Sequence, residues 1–159
     1  MCGISGSYGF GADTEDIARR MNACLAHRGP DGEGLFLSGS TGLAHRRLAI
    51  IDRESGDQPM TTADGRHTIV YNGEVYNYLE LRTELEATGR TFATDSDTEV
   101  LLQAHAAWGS DSYDRFNGMF AIAIHDAETD TLTIARDHFG IKPLSVSYTH
   151  LTLPTTPYV

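Results

Sequence analysis

The chain has 159 residues, 40% hydrophobic and 21% charged, which suits one soluble domain with its own core. Its formal net charge of −10, with Lys and Arg scattered, argues against a nucleic-acid face or an anionic membrane surface. Cys2 and Cys24 are the only cysteines, so no disulfide framework is implied and a reducing, cytoplasmic setting is expected. No signal peptide is expected at the start, no apolar run is long enough to span a bilayer, and there is no internal repeat.

The chain opens Met1-Cys2-Gly3. Cys2 is small, so removal of the initiator methionine is expected. The new first residue would carry a thiol and a free α-amine on one Cα. Their ordinary pKa values, about 8.5 and about 8, are close enough for the amine to take and return the thiol proton near neutral pH. A terminal Cys can thus be nucleophile and base together. Taken alone, Met-Cys reads more simply as a small residue beside a frayed end. Residues 4–10 alternate as a strand, with Ile4, Tyr8 and Phe10 on one face. A helix over residues 13–27, capped by Asp13 or Thr14, is predicted to bury Ile17, Met21, Cys24 and Leu25. That stripe makes Cys24 a core residue and not a second nucleophile.

Residues 27–34, HRGPDGEG, form a Pro/Gly loop in which Arg28 and Asp31 can pair. The glycines do not lie between a strand and a helix, so they make no phosphate cradle. Strands follow over 35–37 and 43–51. In the second, Arg46 and Arg47 are adjacent and point to opposite faces. The inward one needs an anion, either a protein carboxylate or a substrate carboxylate. A further strand, 66–72, runs into Asn72-Gly73 and then a helix over 77–88, with Asn77 and Glu80 as a capping box and Gly89 as its stop. Asn-Gly normally marks a hairpin turn, but a following helix weakens that reading. An Asn side-chain N–H and a Gly backbone N–H can instead converge on one oxygen, as a tetrahedral oxyanion requires.

Residues 94–100, TDSDTEV, fail as a calcium loop, because Val100 stands where Gly is needed. Ser96 and Glu99 read as a capping box for a helix to Trp108, closed by Gly109, with Val100, Leu101, Ala104 and Trp108 inward. Asp97 then sits in the first turn, where a carboxylate offsets the helix dipole by roughly 0.3–1 kcal/mol. A short helix near 112–116 precedes a hairpin of strands 119–125 and 131–137, then the loop 136–144. The His residues are dispersed, so no metal site is read. Residues 145–159 carry no charged side chain and include Pro154 and Pro157. They read as an atypical, foreign or disordered tail.

Seven stretches in order, MCGISG, AHRGPDG, HRRLAIID, YNGEVYNYLELR, SDTEV, FNGMFAIAIHD and RDHFGIKPL, resemble class II glutamine amidotransferases, which are N-terminal nucleophile hydrolases. Within them the chain is most similar to the glutaminase half of glutamine-hydrolysing asparagine synthetase. The resemblance covers residues 1–144 and implies an α+β fold, a four-layer αββα sandwich of two antiparallel sheets flanked by helices, incomplete at its C-terminus. It implies Cys2 as nucleophile, Arg47 as partner of the glutamine α-carboxylate, and Asn72 and Gly73 as oxyanion donors. It also implies backbone contact at Asn72, Gly73 and Glu74, and Asp97 as partner of the α-ammonium. The substrate would be L-glutamine. No cofactor is expected here; ATP and Mg would belong to the synthetase domain, which is absent from this sequence. That domain, or a homodimer, is the partner implied for the full-length family.

The chemistry of the side chains agrees with those roles. A cation, an anion and an oxyanion hole beside a thiol match the carboxylate, ammonium and amide of glutamine. Two other readings stand beside it. One is a non-catalytic domain that binds glutamine or a partner. The other is the glutaminase of another amidotransferase branch.

Overall fold

The computed structural model describes residues 2–48 and 56–148. Its elements run β1 (Gly3–Tyr8), α1 (Thr14–Cys24), β2 (Gly32–Ser38), β3 (Thr41–Arg47), β4 (Met60–Thr61), β5 (His67–Val75), α2 (Tyr78–Ala87), α3 (Asp97–Trp108), β6 (Gly118–Asp126) and β7 (Thr131–Arg136). The strands form two antiparallel sheets, ordered β1-β3-β2 and β4-β5-β6-β7. Helix α1 lies on the first sheet, α3 lies on the second, and α2 packs on α3. Leu43 of β3, Val70 of β5 and Ala123 of β6 meet between the sheets, with Ile4, Phe36 and Leu132 around them. The expected αββα order of layers is therefore present.

A second, larger apolar cluster lies between the β5–β6 sheet and the helices. It runs from Ile69 and Tyr71 through Leu85, Leu101 and Leu102 to Phe120, Ile122 and Ile124. Strand alternation produces both clusters: Val70 faces one way, and Ile69 and Tyr71 face the other. Glycine makes the β5–β6 contact possible at the end nearest the cavity. A Cβ on Gly73 would stand 2.2 Å from the Met119 carbonyl oxygen, so any side chain there would push the strands apart.

Several local expectations need correction. Helix α1 ends at Cys24, and its buried positions are Thr14, Ala18 and Asn22, while Met21 is 38% exposed. Cys24 is exposed, so it is not a core residue. The reason lies in β3 beneath it: a Cβ at Gly42 would be 3.0 Å from the Ala18 methyl and 3.1 Å from Thr14 Cγ2. A helix seated that close turns its small residues inward. Ser7 is the buried residue near the end of β1, while Tyr8 and Phe10 are exposed.

Asn77 does not cap α2 with its side chain. Its amide bridges to the Arg115 carbonyl and the Asn117 N–H instead. Ser96 does cap α3, accepting from the Thr98 N–H at 3.1 Å. Glu99 does not reach back to Ser96; it gathers Ala93 N–H, Thr94 N–H and the Thr94 hydroxyl, tying down the loop before the helix. Trp108 is only partly buried, while Leu102 joins the core. Residues 49–51 of one predicted strand, and 149–159 of the predicted tail, lie outside the described residues.

Candidate active site

The two sheets close against each other at Leu43, Val70 and Ala123 and open one step further along the strands. Alternation then determines what faces the opening. On β3, His45 and Arg47 follow Leu43 on one face; on β5, Asn72 and Glu74 follow Val70; on β6, Ala121 and Met119 lie beyond Ala123. Gly3 pairs with Arg46, so Cys2 comes opposite Arg47. The result is a cavity of about 140 Å³ lined by Cys2, Arg47, Asn72, Gly73, Glu74 and Asp97. That volume is close to the ~150 Å³ of an engineered protein cavity that takes up benzene, a scale suited to a small molecule.

Cys2 is held from two directions. The Leu48 N–H donates to Sγ at 3.3 Å, and Arg28 donates to the Cys2 carbonyl at 3.4 Å and 3.5 Å. Arg28 therefore turns to the Cys2 backbone ahead of β1, and the described ion pairs do not include one between Arg28 and Asp31. The Asp31 N–H donates to the Arg47 carbonyl, so the loop after α1 braces both sides of the β1–β3 end. Gly29 allows the approach: a Cβ there would fall 2.4 Å from the Arg46 carbonyl carbon.

The adjacent arginines diverge. Arg46 leans over α1, paired with Glu33 at 2.7 Å and donating to the Asn22 carbonyl. Arg47 lines the cavity and pairs with Asp57 at 2.8 Å. Both readings of the inward arginine thus have support: it has a protein carboxylate partner, and it reaches the cavity.

Asn72-Gly73 is not a turn. β5 continues through it to Val75, with Gly73 opposite Phe120. Asn72 is 6% exposed, and its carboxamide makes no hydrogen bond to a described residue. The Tyr71 N–H points away from β6, to Gln58 Oε1 at 2.6 Å. In a strand the N–H two residues on points the same way, so the Gly73 N–H lies on the same edge. β4 covers that edge only opposite Thr68 and Ile69. Asn72 and Gly73 therefore both bring donors to the cavity lining. Asp97 enters from the first turn of α3, 5% exposed, and accepts from the Tyr71 hydroxyl at 2.8 Å. Burial pushes its carboxyl above the ordinary range, and the Tyr71 hydroxyl opposes this.

Residues 1–154 match the glutamine amidotransferase domain. The chain belongs to this family. It is 46% identical over 149 residues to asparagine synthetase [glutamine-hydrolyzing] 1 of Bacillus subtilis, covering 91% of this chain and 24% of that protein. Against asparagine synthetase B [glutamine-hydrolyzing] of Escherichia coli it is 38% identical over 151 residues, 93% of this chain and 27% of that one. The chain thus spans about a quarter of the length of these relatives. Among solved structures, glutamine phosphoribosylpyrophosphate amidotransferase from B. subtilis superposes with a TM-score of 0.68 at 22% identity, over 86% of this chain and 37% of that one. That likeness supports the fold.

Other residues of this amidotransferase domain line the cavity without having been singled out by the sequence: His45, Gln58, Tyr71, Thr98, Met119 and Lys142. His45 is 1% exposed, and burial pushes its imidazole down to about 4, so it is neutral at physiological pH. Its signal was available, two residues before Arg47 on the same strand face. Lys142, 4% exposed, is brought in by Asp137, whose carboxylate collects the N–H groups of Phe120, Ile141 and Lys142. Gln58 and Tyr71 left no such signal. Among the described residues no group of His, Cys, Asp and Glu could hold a metal ion, and no helix is long and apolar enough to cross a membrane.

Proposed function

We propose that this chain is a glutamine-hydrolysing domain that releases ammonia through a thioester on Cys2. The observation that carries the reading is the convergence of Cys2, Arg47, Asn72, Gly73, Glu74 and Asp97 on one cavity. The arrangement fits one molecule end to end. Arg47 receives the α-carboxylate and Asp97 the α-ammonium, with Glu74 beside them, so the side-chain amide is directed to the thiol.

After loss of Met1, the α-amine of Cys2 takes the thiol proton, and sulfur attacks the amide carbon. The C–S bond forms, and the carbonyl electrons move to oxygen, facing the Asn72 side-chain and Gly73 backbone N–H donors. The intermediate collapses, the C–N bond breaks, and the amine returns its proton to the leaving nitrogen, giving ammonia. Water then attacks the thioester carbon and gives a proton to the amine. The C–S bond breaks, and the proton returns to sulfur as glutamate leaves.

In a longer protein of the relatives' length, the ammonia would serve ATP-dependent formation of asparagine from aspartate in the cytoplasm. ATP and Mg are assigned to that remaining portion. The deciding experiment measures ammonia release from L-glutamine by the purified chain, with Cys2→Ala as control, alongside intact mass. Turnover abolished by Cys2→Ala, with Met1 absent, supports the enzyme. Retained Met1 with glutamine binding and no turnover supports a binding domain instead.

A further inference from the structure

Tyr71 and Asp97 form a buried pair, 3% and 5% exposed, with the phenol hydroxyl donating to Asp97 Oδ2 at 2.8 Å. The Tyr71 ring belongs to the apolar cluster beneath α3, on the face of β5 opposite Asn72. Its backbone N–H donates to Gln58 Oε1 at 2.6 Å, and the nitrogen of the same amide donates to Thr98 Oγ1 at 3.1 Å. Thr98 follows Asp97 in the first turn of α3. Tyr71, Asp97, Thr98 and Gln58 thus close a ring joining the oxyanion strand to the helix start. The reaction sequence above uses neither Tyr71 nor Gln58.

We propose that Tyr71 is the positioning residue for Asp97: its hydroxyl, on a backbone whose N–H is held by Gln58, aims the carboxylate at the α-ammonium of glutamine. The inference rests on the ammonium-binding role proposed for Asp97. Physically, a carboxylate this deep is unfavourable unless hydrogen bonds hold it. Burial pushes Asp97 upward. The Tyr71 hydroxyl is the foremost group opposing that, followed by the Val75 and Thr98 backbone N–H groups, while Glu74 acts in the same sense as burial. The other titratable groups sharing the cavity are Cys2, Arg47 and His45 on the β1–β3 side and Lys142 after β7. His45 is neutral there. Burial, then Asp97, raises the phenol well above its usual range, so Tyr71 keeps the proton it donates to Asp97. One carboxylate oxygen is engaged in this way, and Oδ1 has no hydrogen bond to a described side chain.

The ammonium is remote from the scissile amide. Weakening its partner lowers ground-state and transition-state binding alike, so the loss falls on KM and spares kcat. In the non-cleaving Cys2→Ala background, added Tyr71→Phe is expected to weaken L-glutamine binding about tenfold by calorimetry, the low end for a hydrogen bond to a charged group. Binding of glutaramate, which has the amide and carboxylate but no ammonium, should not change. In the active chain, Tyr71→Phe should raise KM with kcat kept, and move the acid limb of kcat/KM to higher pH. Adding Tyr71→Phe to Asp97→Asn should do nothing further. Equal weakening of glutamine and glutaramate, or an unmoved KM and acid limb while Asp97→Asn raises KM, overturns the proposal. If Asp97→Asn itself leaves glutamine affinity unchanged, the ammonium-binding reading fails first, and the proposal with it.

Discussion

The cavity has one heavily built wall and one thin one. Behind Asn72 and Gly73, β5 and β6 rest on a continuous apolar cluster with α2 and α3, in which Leu85, Leu101, Leu102, Phe120, Ile122 and Ile124 are at most 2% exposed. Behind Cys2 and Arg47, β1 and β3 rest on α1 through Thr14, Ala18 and Asn22, with Met21 and Cys24 left outside. Asn72 and Gly73 are therefore mounted on close-packed hydrocarbon. Cys2 is instead held by hydrogen bonds and close backbone approach, from Leu48, Arg28 and Gly29. The close-packed wall is thus the one that carries the proposed oxyanion donors, where an unchanging hydrogen-bond geometry is needed. The side holding Cys2 depends on polar contacts to its loops.

This contrast can be broken by experiment, beginning with the largest effect. Phe120→Ala removes a ring buried beside the Gly73 ladder position, and a loss of about 3–5 kcal/mol in unfolding free energy is expected by denaturant titration. A loss under about 1 kcal/mol would show that the β5–β6 wall is not the stable half. Asn72→Ala should leave the fold in place and lower turnover by about 100- to 1000-fold in an ammonia-release assay, or ~3–4 kcal/mol of transition-state stabilisation. Unchanged turnover would remove Asn72 from the oxyanion role. Arg47→Lys keeps the charge and loses the fork, so KM for glutamine should rise about 10-fold with kcat little changed. An unaltered KM would reassign Arg47 to a structural role, with Asp57 as its described ion-pair partner.

A smaller effect concerns pH. Burial raises Asp97, so between about pH 4 and its raised pKa the folded chain holds more protons than the unfolded one. Stability contributed by this group therefore falls as pH rises through that window. Asp126 has the opposite sign: Arg66 holds it well below the carboxylate range, and its contribution is lost as pH falls. Comparing unfolding of the parent and Asp97→Asn across pH isolates the first effect, with a flatter loss toward neutral pH expected in the variant. The smallest change is Met21→Gln on the exposed face of α1, expected within about 0.5 kcal/mol of the parent. A larger loss would make the thin wall better packed than it looks.

Much of this is legible in the residues themselves. The strands β3, β5, β6 and β7 fall within stretches read as strands, Ser96 marked the start of α3, and Gly89 and Gly109 stand where α2 and α3 stop. The ordered motifs pointed to Cys2, Arg47, Asn72, Gly73, Glu74 and Asp97, and all six line one cavity. These features are local: a turn or a cap is written within a few residues. Which face of α1 turns inward was not local, because Gly42, on a strand eighteen or more residues later in the chain, decides how close the helix sits. Asn77 and Glu99 likewise left their expected caps for partners brought near by folding.

Chemistry-bearing residue types and their order were set by the sequence alone, because nucleophile, cation, anion and paired donors are properties of side chains and short motifs. Their convergence, and the ring joining Tyr71, Asp97, Thr98 and Gln58, came only with the tertiary structure. Contacts across 13 to 40 residues depend on how two sheets stack and where a helix begins, and no pattern within one segment encodes that distance.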